Sequence, residues 1–338
     1  MFAQAIDAGH DGADDIDDVR PHESDRARAM NARPIIIDTD PGQDDAIAIL
    51  LALASPELEV TAITSVAGNV PQPLVTENSL GLLALAGRED VPVYRGCERP
   101  LLRDLVTAEY VHGPTGVDGA VLPAATVEAR TTHGVDHIID ACREAPDASV
   151  TLCPIGPLTN IGMAIAKEPS IIDKIREIVW MGGAFDEAGN TTPVAEFNAY
   201  VDPHAVHIVF TSGIPLTIFP LDVTHKALML PRHIELLASY GTRIAEAAAG
   251  MIRFYEIYDI DKYDIPGAPL HDPCVVAYLV DTSLFQGARH HVLVDTTNEE
   301  TIGNTYVDDS GGEPNALIIT DVDAERFFTL VVERIGQM

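Results

Sequence analysis

Lysine is almost missing from this chain: Lys167, Lys174, Lys226 and Lys262 are the only four in 338 residues. Against 52 Asp and Glu stand 21 Lys and Arg, for a formal charge of −31. Such a surface repels polyanions, which excludes nucleic-acid partners and binding to an anionic membrane surface. An acidic excess with little Lys suits a protein that works in high salt, where screening removes the self-repulsion, so halophilic adaptation is one reading of this composition and stays open at this level. Cysteine is scarce too: Cys97, Cys142, Cys153 and Cys274 have neither CxxC nor zinc-type spacing, which predicts reduced thiols and a cytoplasmic location. No apolar run is long enough to span a bilayer, the longest being residues 46–54. The first thirty residues are rich in Asp, Ala and His and lack the apolar core of a signal peptide; residues 1–32 are expected to form a disordered acidic extension. No GxGxxG follows the first apolar run, which removes a dinucleotide-binding dehydrogenase.

What remains is a regular alternation. Strand-like runs fall at residues 34–37, 60–66, 91–94, 150–152, 178–181, 216–219, 291–294 and 316–319. Helical patterns fall at 45–53, 73–86, 135–143, 158–166, 203–210, 244–257, 273–279 and 323–335. This order predicts an α/β fold: an open, mostly parallel, Rossmann-like sheet with helices on both faces, in a single domain over residues 33–338.

In such folds ligands bind at the carboxyl ends of strands, so the residues just after each strand matter as a set. The first strand runs into Asp38-Thr-Asp40-Pro-Gly42-Gln-Asp44-Asp45, four carboxylates in eight residues with no Lys or Arg among them. They repel one another unless a cation sits there, and a hard divalent ion with oxygen ligands fits. Other strand ends carry Ala67-Gly68-Asn69, Ile155-Gly-Pro-Leu-Thr-Asn160, Met181-Gly-Gly183 and Asp222-Val-Thr224-His225. Besides Asp40-Pro41, two further Asp-Pro pairs, Asp202-Pro203 and Asp272-Pro273, read alone as ordinary helix starts with Asp as N-cap. His271 directly precedes the second, which sets it apart.

Asp38-Thr-Asp40-Pro-Gly-Gln-Asp44-Asp45 resembles the DxDPGxDD signature of the nucleoside hydrolases, the inosine-uridine preferring, calcium-dependent N-ribohydrolases. Val66-Ala-Gly-Asn69, His112-Gly113, Pro154-Ile-Gly-Pro-Leu-Thr-Asn160, Met181-Gly-Gly183, Ala195-Glu-Phe-Asn198, Asp222-Val-Thr224-His225 and His271-Asp272-Pro273-Cys274 follow in the family's order, over residues 33–338. The resemblance implies hydrolysis of the N-glycosidic bond of a ribonucleoside, giving ribose and free base. It implies Ca²⁺ held by Asp40, Asp45, Asp272 and the carbonyl of Ile155. It makes Asp40 the general base towards a water that also touches the metal, with Asn69 orienting this site and Asp38 a supporting carboxylate behind. Asp44, Asn190, Glu196 and Asn198 match ribose-binding positions, with Met181 beneath the sugar and Phe197 beside them. His271 matches the histidine that assists departure of the base. His112 resembles a residue of a mobile loop at the pocket mouth, and Tyr258 and Tyr263 roughly match aromatics that flank the base. Lys262 stands where the family pattern has Arg, and the segment before His271 is about one residue longer than that pattern, so the base side departs from the family here. Members are usually homodimers or homotetramers, so a homo-oligomer acting on a small nucleoside is expected. Base preference stays open at this level.

Two other classes share some of these features. A haloacid-dehalogenase-like phosphatase also begins with an apolar strand into DxD, with a nucleophilic Asp and Mg²⁺, but Pro41 after Asp40 departs from its pattern and leaves Asp44-Asp45 without a role. A calcium-dependent nucleoside-binding protein would keep the pocket without turnover.

Overall fold

The computed structural model describes residues 32–263 and 266–338, with the side chains of residues 258–263 outside the description. The acidic extension and the side chains of Tyr258, Lys262 and Tyr263 therefore lie outside the described residues.

The chain alternates strand and helix as its periodicity predicts. The strands are β1 (Arg33–Thr39), β2 (Leu58–Ser65), β3 (Val93–Arg95), β4 (Val150–Pro154), β5 (Ile175–Met181), β6 (Leu216–Phe219), β7 (Leu228–Met229), β8 (Ala268–Pro269), β9 (Phe285–His290), β10 (Val292–Val294), β11 (Thr305–Val307) and β12 (Ala316–Val322). Eight of them form one sheet in the order β3-β2-β1-β4-β5-β6-β12-β9. Every neighbour pair is parallel except β12 with β9, the antiparallel edge.

Strand β1 shows why its apolar run is continuous rather than alternating. Ile35 and Ile37 enter the core on one side of the sheet and Ile36 enters the core on the other. Successive side chains point to opposite faces, and both faces are covered by helices. The first core takes in the helices Gln43–Leu53 and Pro273–Val280; the second takes in Gly134–Glu144, Thr159–Lys167 and Pro203–Phe210.

The strand order decides where a site can be. From β1 the chain builds outward through β2 and β3, then returns to β4 on the other side of β1 and builds away through β5 and β6. The β1/β4 junction is thus the topological switch point, where a crevice opens at the carboxyl ends. Asp38 pairs with Pro154 in this register, and the Ile155 N–H donates to the Asp38 carbonyl at 2.8 Å. The acidic segment and the Gly-Pro turn are therefore side by side.

Two expectations are corrected. Residues 291–294 do not join the main sheet; β10 pairs antiparallel with β11 in a separate ribbon. The edge strand is β9, Phe-Gln-Gly-Ala-Arg-His, whose middle residues are exposed, so an edge facing solvent leaves no apolar pattern to read. The helix Pro231–Ala238 also went unread, and the helix expected to end at residue 257 runs as Arg243–Tyr263.

Candidate active site

The first turn of the helix Gln43–Leu53 is tied back onto the end of β1. Asp45 accepts hydrogen bonds from the Thr39 hydroxyl (2.6 Å), the Asp40 N–H (3.3 Å), the Gly42 N–H (2.9 Å) and the Asn69 amide (3.1 Å). Its role at the helix start is partly the dipole-complementing one an acidic first turn suggests. Asp40 is held more tightly still. One carboxylate oxygen accepts the Asn69 N–H at 2.7 Å, while the other, Oδ1, is buried with no hydrogen-bond partner among the described residues.

Glycine makes that placement of Asp40 possible. A Cβ on Gly68 would lie 2.0 Å from Asp40 Oδ2, and one on Gly156 would lie 2.3 Å from Oδ1. The carboxylate is clasped between two backbones that only glycine lets so near. Behind it, Asp38 accepts from the Thr64 hydroxyl and, at 2.7 Å, from the Asn160 amide. It ties the end of β1 to β2 and to the Asn160 turn.

Beside Asp40, oxygens of Asp44, Asp45 and Asp272 lie within 4.8 Å of one another, a grouping able to hold a metal ion. This differs from the ligand set that resemblance implied, since Asp44 stands in the cluster where Asp40 was expected. Asp40 is nonetheless adjacent, and its charge is one of the causes that raise Asp272. Burial, chiefly, pushes Asp40, Asp45 and Asp272 above the ordinary carboxylate range; neighbouring carboxylates push Asp40 and Asp272 further. Asp38 is raised to about 7 by burial, against the hydrogen bonds from Asn160 and Thr64. Among the described residues no Lys or Arg forms an ion pair with Asp38, Asp40, Asp45 or Asp272. Buried carboxylates with no basic partner, together with the orphaned Asp40 Oδ1, form an all-oxygen donor set that fits a hard divalent cation.

The two Asp-Pro pairs now separate. Asp202 is a true N-cap: its carboxylate accepts the Ala205 N–H at 3.0 Å, as well as Leu101 N–H and the Thr159 hydroxyl. Asp272 begins its helix with no such cap bond and helical backbone angles (φ −68°, ψ −37°), its carboxylate turned to the acidic cluster instead. The same dipeptide serves a helix once and the site once.

A pocket opens over this cluster, and Asp44, Asn69, Ile155, Met181, Asn190, Glu196, Phe197, Asn198, His112 and His271 all line it with Asp272. Glu196 caps the short helix Phe197–Val201, accepting the N–H groups of Asn198 (2.8 Å), Ala199 (3.1 Å) and, from the β5 turn, Gly183 (2.8 Å). Burial raises it to about 7 in spite of those bonds. The Asn198 amide donates to the carbonyls of Met181 (3.1 Å) and Ile155 (3.3 Å), lacing the turns after β4 and β5 together. Asn190 accepts the Phe197 N–H at 2.9 Å. Phe197 packs with Ala108 and Val201 in a small apolar cluster at the pocket wall.

His271 is buried, its Nδ1 2.7 Å from the Thr224 hydroxyl, with the His225 ring centre 5.8 Å away. Burial, then the neighbouring His225 and His112, hold it well below the usual imidazole range. His112 is buried rather than loose at the mouth: its Nδ1 is 2.7 Å from Gln43 Oε1 and its ring stacks on Tyr255. Gln43, Thr224, His225, Tyr110 and Tyr255 received no role from the sequence. Tyr255 reads there as one more core position of a helix, and Gln43 occupies the unspecified position of the signature. Asp222, part of a quoted motif, accepts the N–H groups of Phe185, Asp186 and Glu187 and so shapes the loop after β5.

An apolar strand feeding a clasped carboxylate, an acidic cluster at the switch point, and a pocket edged by buried histidines form an acid-rich, metal-capable site at the carboxyl edge of an open α/β sheet. The model of the inosine-uridine preferring nucleoside hydrolase family matches residues 35–329. The chain is 44% identical over 309 residues to the pyrimidine-specific ribonucleoside hydrolase RihA of Photobacterium profundum, covering 90% of this chain and 99% of that protein. It is 45% identical over 308 residues to the RihA of Salmonella arizonae, covering 90% and 98%. Among solved structures, the plant nucleoside hydrolase PpNRh1 aligns with a TM-score of 0.86 at 34% identity, covering 90% of this chain and 99% of that one. A purine-preferring ribonucleoside hydrolase from Gardnerella vaginalis aligns with a TM-score of 0.86 at 32% identity, covering 90% and 98%. The chain belongs to the inosine-uridine preferring nucleoside hydrolase family and is an N-ribohydrolase. The phosphatase alternative falls with this membership.

Proposed function

We propose that the protein hydrolyses ribonucleosides with Asp40 as general base, His271 assisting the departing base, and Ca²⁺ as the cation of the acidic cluster. The observation that carries this is that a clasped Asp40, one oxygen buried without a hydrogen-bond partner, lies against the Asp44-Asp45-Asp272 cluster, of which Asp44 and Asp272 line the pocket. Asp45 and Asp272, with Asp40 and the Ile155 carbonyl, would hold the cation. Bound there, it would supply positive charge that neutralises the cluster and Lewis acidity towards oxygen ligands.

The remaining work falls to this chain's own groups. Asp40 Oδ1, with no partner to satisfy it, takes the proton of the attacking water. Asn69 keeps the Asp40 carboxylate aimed by its N–H bond. Asp44, Asn190, Glu196 and Asn198 bind the ribose hydroxyls, with Met181 and Phe197 packing against the sugar. As the N-glycosidic bond breaks, charge accumulates on the base, and His271 moves a proton or hydrogen bond towards it. Strong preference for ribosides over 2′-deoxyribosides follows, because a missing hydroxyl leaves a buried polar group unpaired. The pyrimidine-specific names of relatives near 44% identity support uridine and cytidine as preferred substrates. By family resemblance we carry over a homodimer or homotetramer; the scattered cysteines support a cytoplasmic location, and the acidic, lysine-poor composition suits high-salt conditions.

The test is a panel of uridine, cytidine, inosine, adenosine and guanosine, assayed for reducing sugar with and without a chelator. Ribose release that the chelator abolishes and Ca²⁺ restores is expected. Binding without ribose release would instead identify a nucleoside-binding protein.

A further inference from the structure

Gln43 sits at the one position that the acidic signature leaves unspecified, and its amide is fully engaged. The nitrogen donates to two backbone carbonyls, of His112 at 2.9 Å and of Asp118 at 3.1 Å. Turning the amide over would set its oxygen against those two carbonyls, so the oxygen must face the remaining neighbour, His112 Nδ1, at 2.7 Å. An amide oxygen only accepts. His112 Nδ1 therefore carries a hydrogen, and in the neutral ring Nε2 is left with its lone pair.

Packing keeps the ring in that pose. The His112 ring lies so close over Gly42 that a Cβ there would be 2.5 Å from Nδ1, and Tyr255 stacks at 5.8 Å with planes 13° apart. Burial lowers the imidazole to about 3, which keeps it uncharged. Asn78 makes a parallel tie, donating to the carbonyls of Pro41 (3.3 Å) and Thr115 (2.8 Å), so residues 112–118 are latched to the acidic segment at both Gln43 and Asn78.

We propose that Gln43 is a positioning residue: it holds His112 as the Nδ1–H tautomer, so that a pocket-lining imidazole meets the nucleoside as a hydrogen-bond acceptor through Nε2. The proposal rests on the ribohydrolase reading for its substrate, while the tautomer itself is a property of the free protein. A substrate N–H or O–H is the chemistry that such an acceptor recognises.

The test has two arms. Long-range ¹H–¹⁵N correlation on histidine-labelled wild type reads the tautomer directly, and His112 is expected with a protonated Nδ1 and an unprotonated Nε2. An Nε2–H tautomer, or an imidazolium at neutral pH, would overturn the proposal. In the second arm Gln43→Met, His112→Ala and the double variant are compared on a ribonucleoside that the wild type turns over. Gln43→Met is expected to raise KM about three- to tenfold, the size of one lost neutral hydrogen bond, and to raise it clearly less in the His112→Ala background, where only the ties to the His112 and Asp118 carbonyls remain to be lost. Independent, additive effects would mean that Gln43 does not act through His112. Absence of wild-type turnover with the Nδ1–H tautomer present would overturn the ribohydrolase reading and leave the tautomer assignment standing.

Discussion

Replacing Gly68 by alanine adds one methyl group at the tightest place in the site. Gly68 does not use the left-handed backbone region, so the substitution brings no intrinsic strain and acts through space alone. The new Cβ would stand 2.0 Å from Asp40 Oδ2 and 3.0 Å from Pro157 Cδ. Ordinary carbon contacts begin near 3.5 Å, so something must yield by more than about 1 Å. Asp40 has little room to retreat, because Gly156 lies so near its other oxygen that a Cβ there would be 2.3 Å away. The N–H bond from Asn69 is broken, costing about 1.5–3 kcal/mol as a bond to a charged group. A misplacement of about 1 Å in a reacting group costs roughly 10²-fold in rate, so kcat for ribose release should fall by about two orders of magnitude. Gly87→Ala is the matched control: its backbone is left-handed (φ +65°) but nothing lies within 4 Å of a new Cβ. That variant should lose about 1 kcal/mol of stability and keep its kcat. Steady-state kinetics with a thermal melt on both variants decides the matter. Wild-type kcat in Gly68→Ala would refute the claim that Asp40 is clasped and catalytic.

The two Asp-Pro pairs give a second comparison: Asp202→Asn should lower stability by about 1 kcal/mol and keep calcium-dependent turnover, whereas Asp272→Asn should abolish calcium-induced stabilisation with little change in the metal-free melt. Equal calcium stabilisation in both, by differential scanning fluorimetry, would sink the ligand assignment of Asp272. A third expectation concerns pH. Burial raises Asp38 and Glu196 from 3.8 and 4.5 to about 7, and raises Asp40, Asp45 and Asp272 as well. The folded state thus binds these protons more tightly than the unfolded chain, so their stabilisation is complete below the unfolded values and is lost as pH rises towards 7. In chelator and molar salt, which screens the surface charges but not these buried ones, the melting temperature should be lower at about pH 8 than at about pH 5. Ca²⁺ should restore it at the higher pH; a metal-free protein more stable at pH 8 would contradict the sign.

Most of the sheet was legible because a doubly covered parallel strand leaves a continuous apolar run, as Ile35, Ile36 and Ile37 do by serving two cores. Strand β9 was not, since its exposed edge residues carry no such pattern. The site was legible where chemistry is crowded into short segments, as in residues 38–45, and where resemblance joined them to residues 271–272. It was less legible where one residue type serves two ends: Asp202 and Asp272 open the same dipeptide with opposite employment, and in the sequence only the preceding His271 and the family resemblance set the second apart. Nor could spacing show that Asp44 enters the acidic cluster, that His112 is buried, or that Gln43 grips it, because each depends on contacts between distant segments.

Asp40→Asn is the most direct trial of the central claim, because it keeps the shape of the clasped side chain and an oxygen for the Asn69 N–H while removing the base. Ribose release should be measured on this variant beside the wild type, both loaded with Ca²⁺ and both shown folded by melting. A loss of about 10²–10⁴-fold in kcat is expected for a missing general base. Turnover at the wild-type rate would contradict the assignment of Asp40 and with it the proposed mechanism.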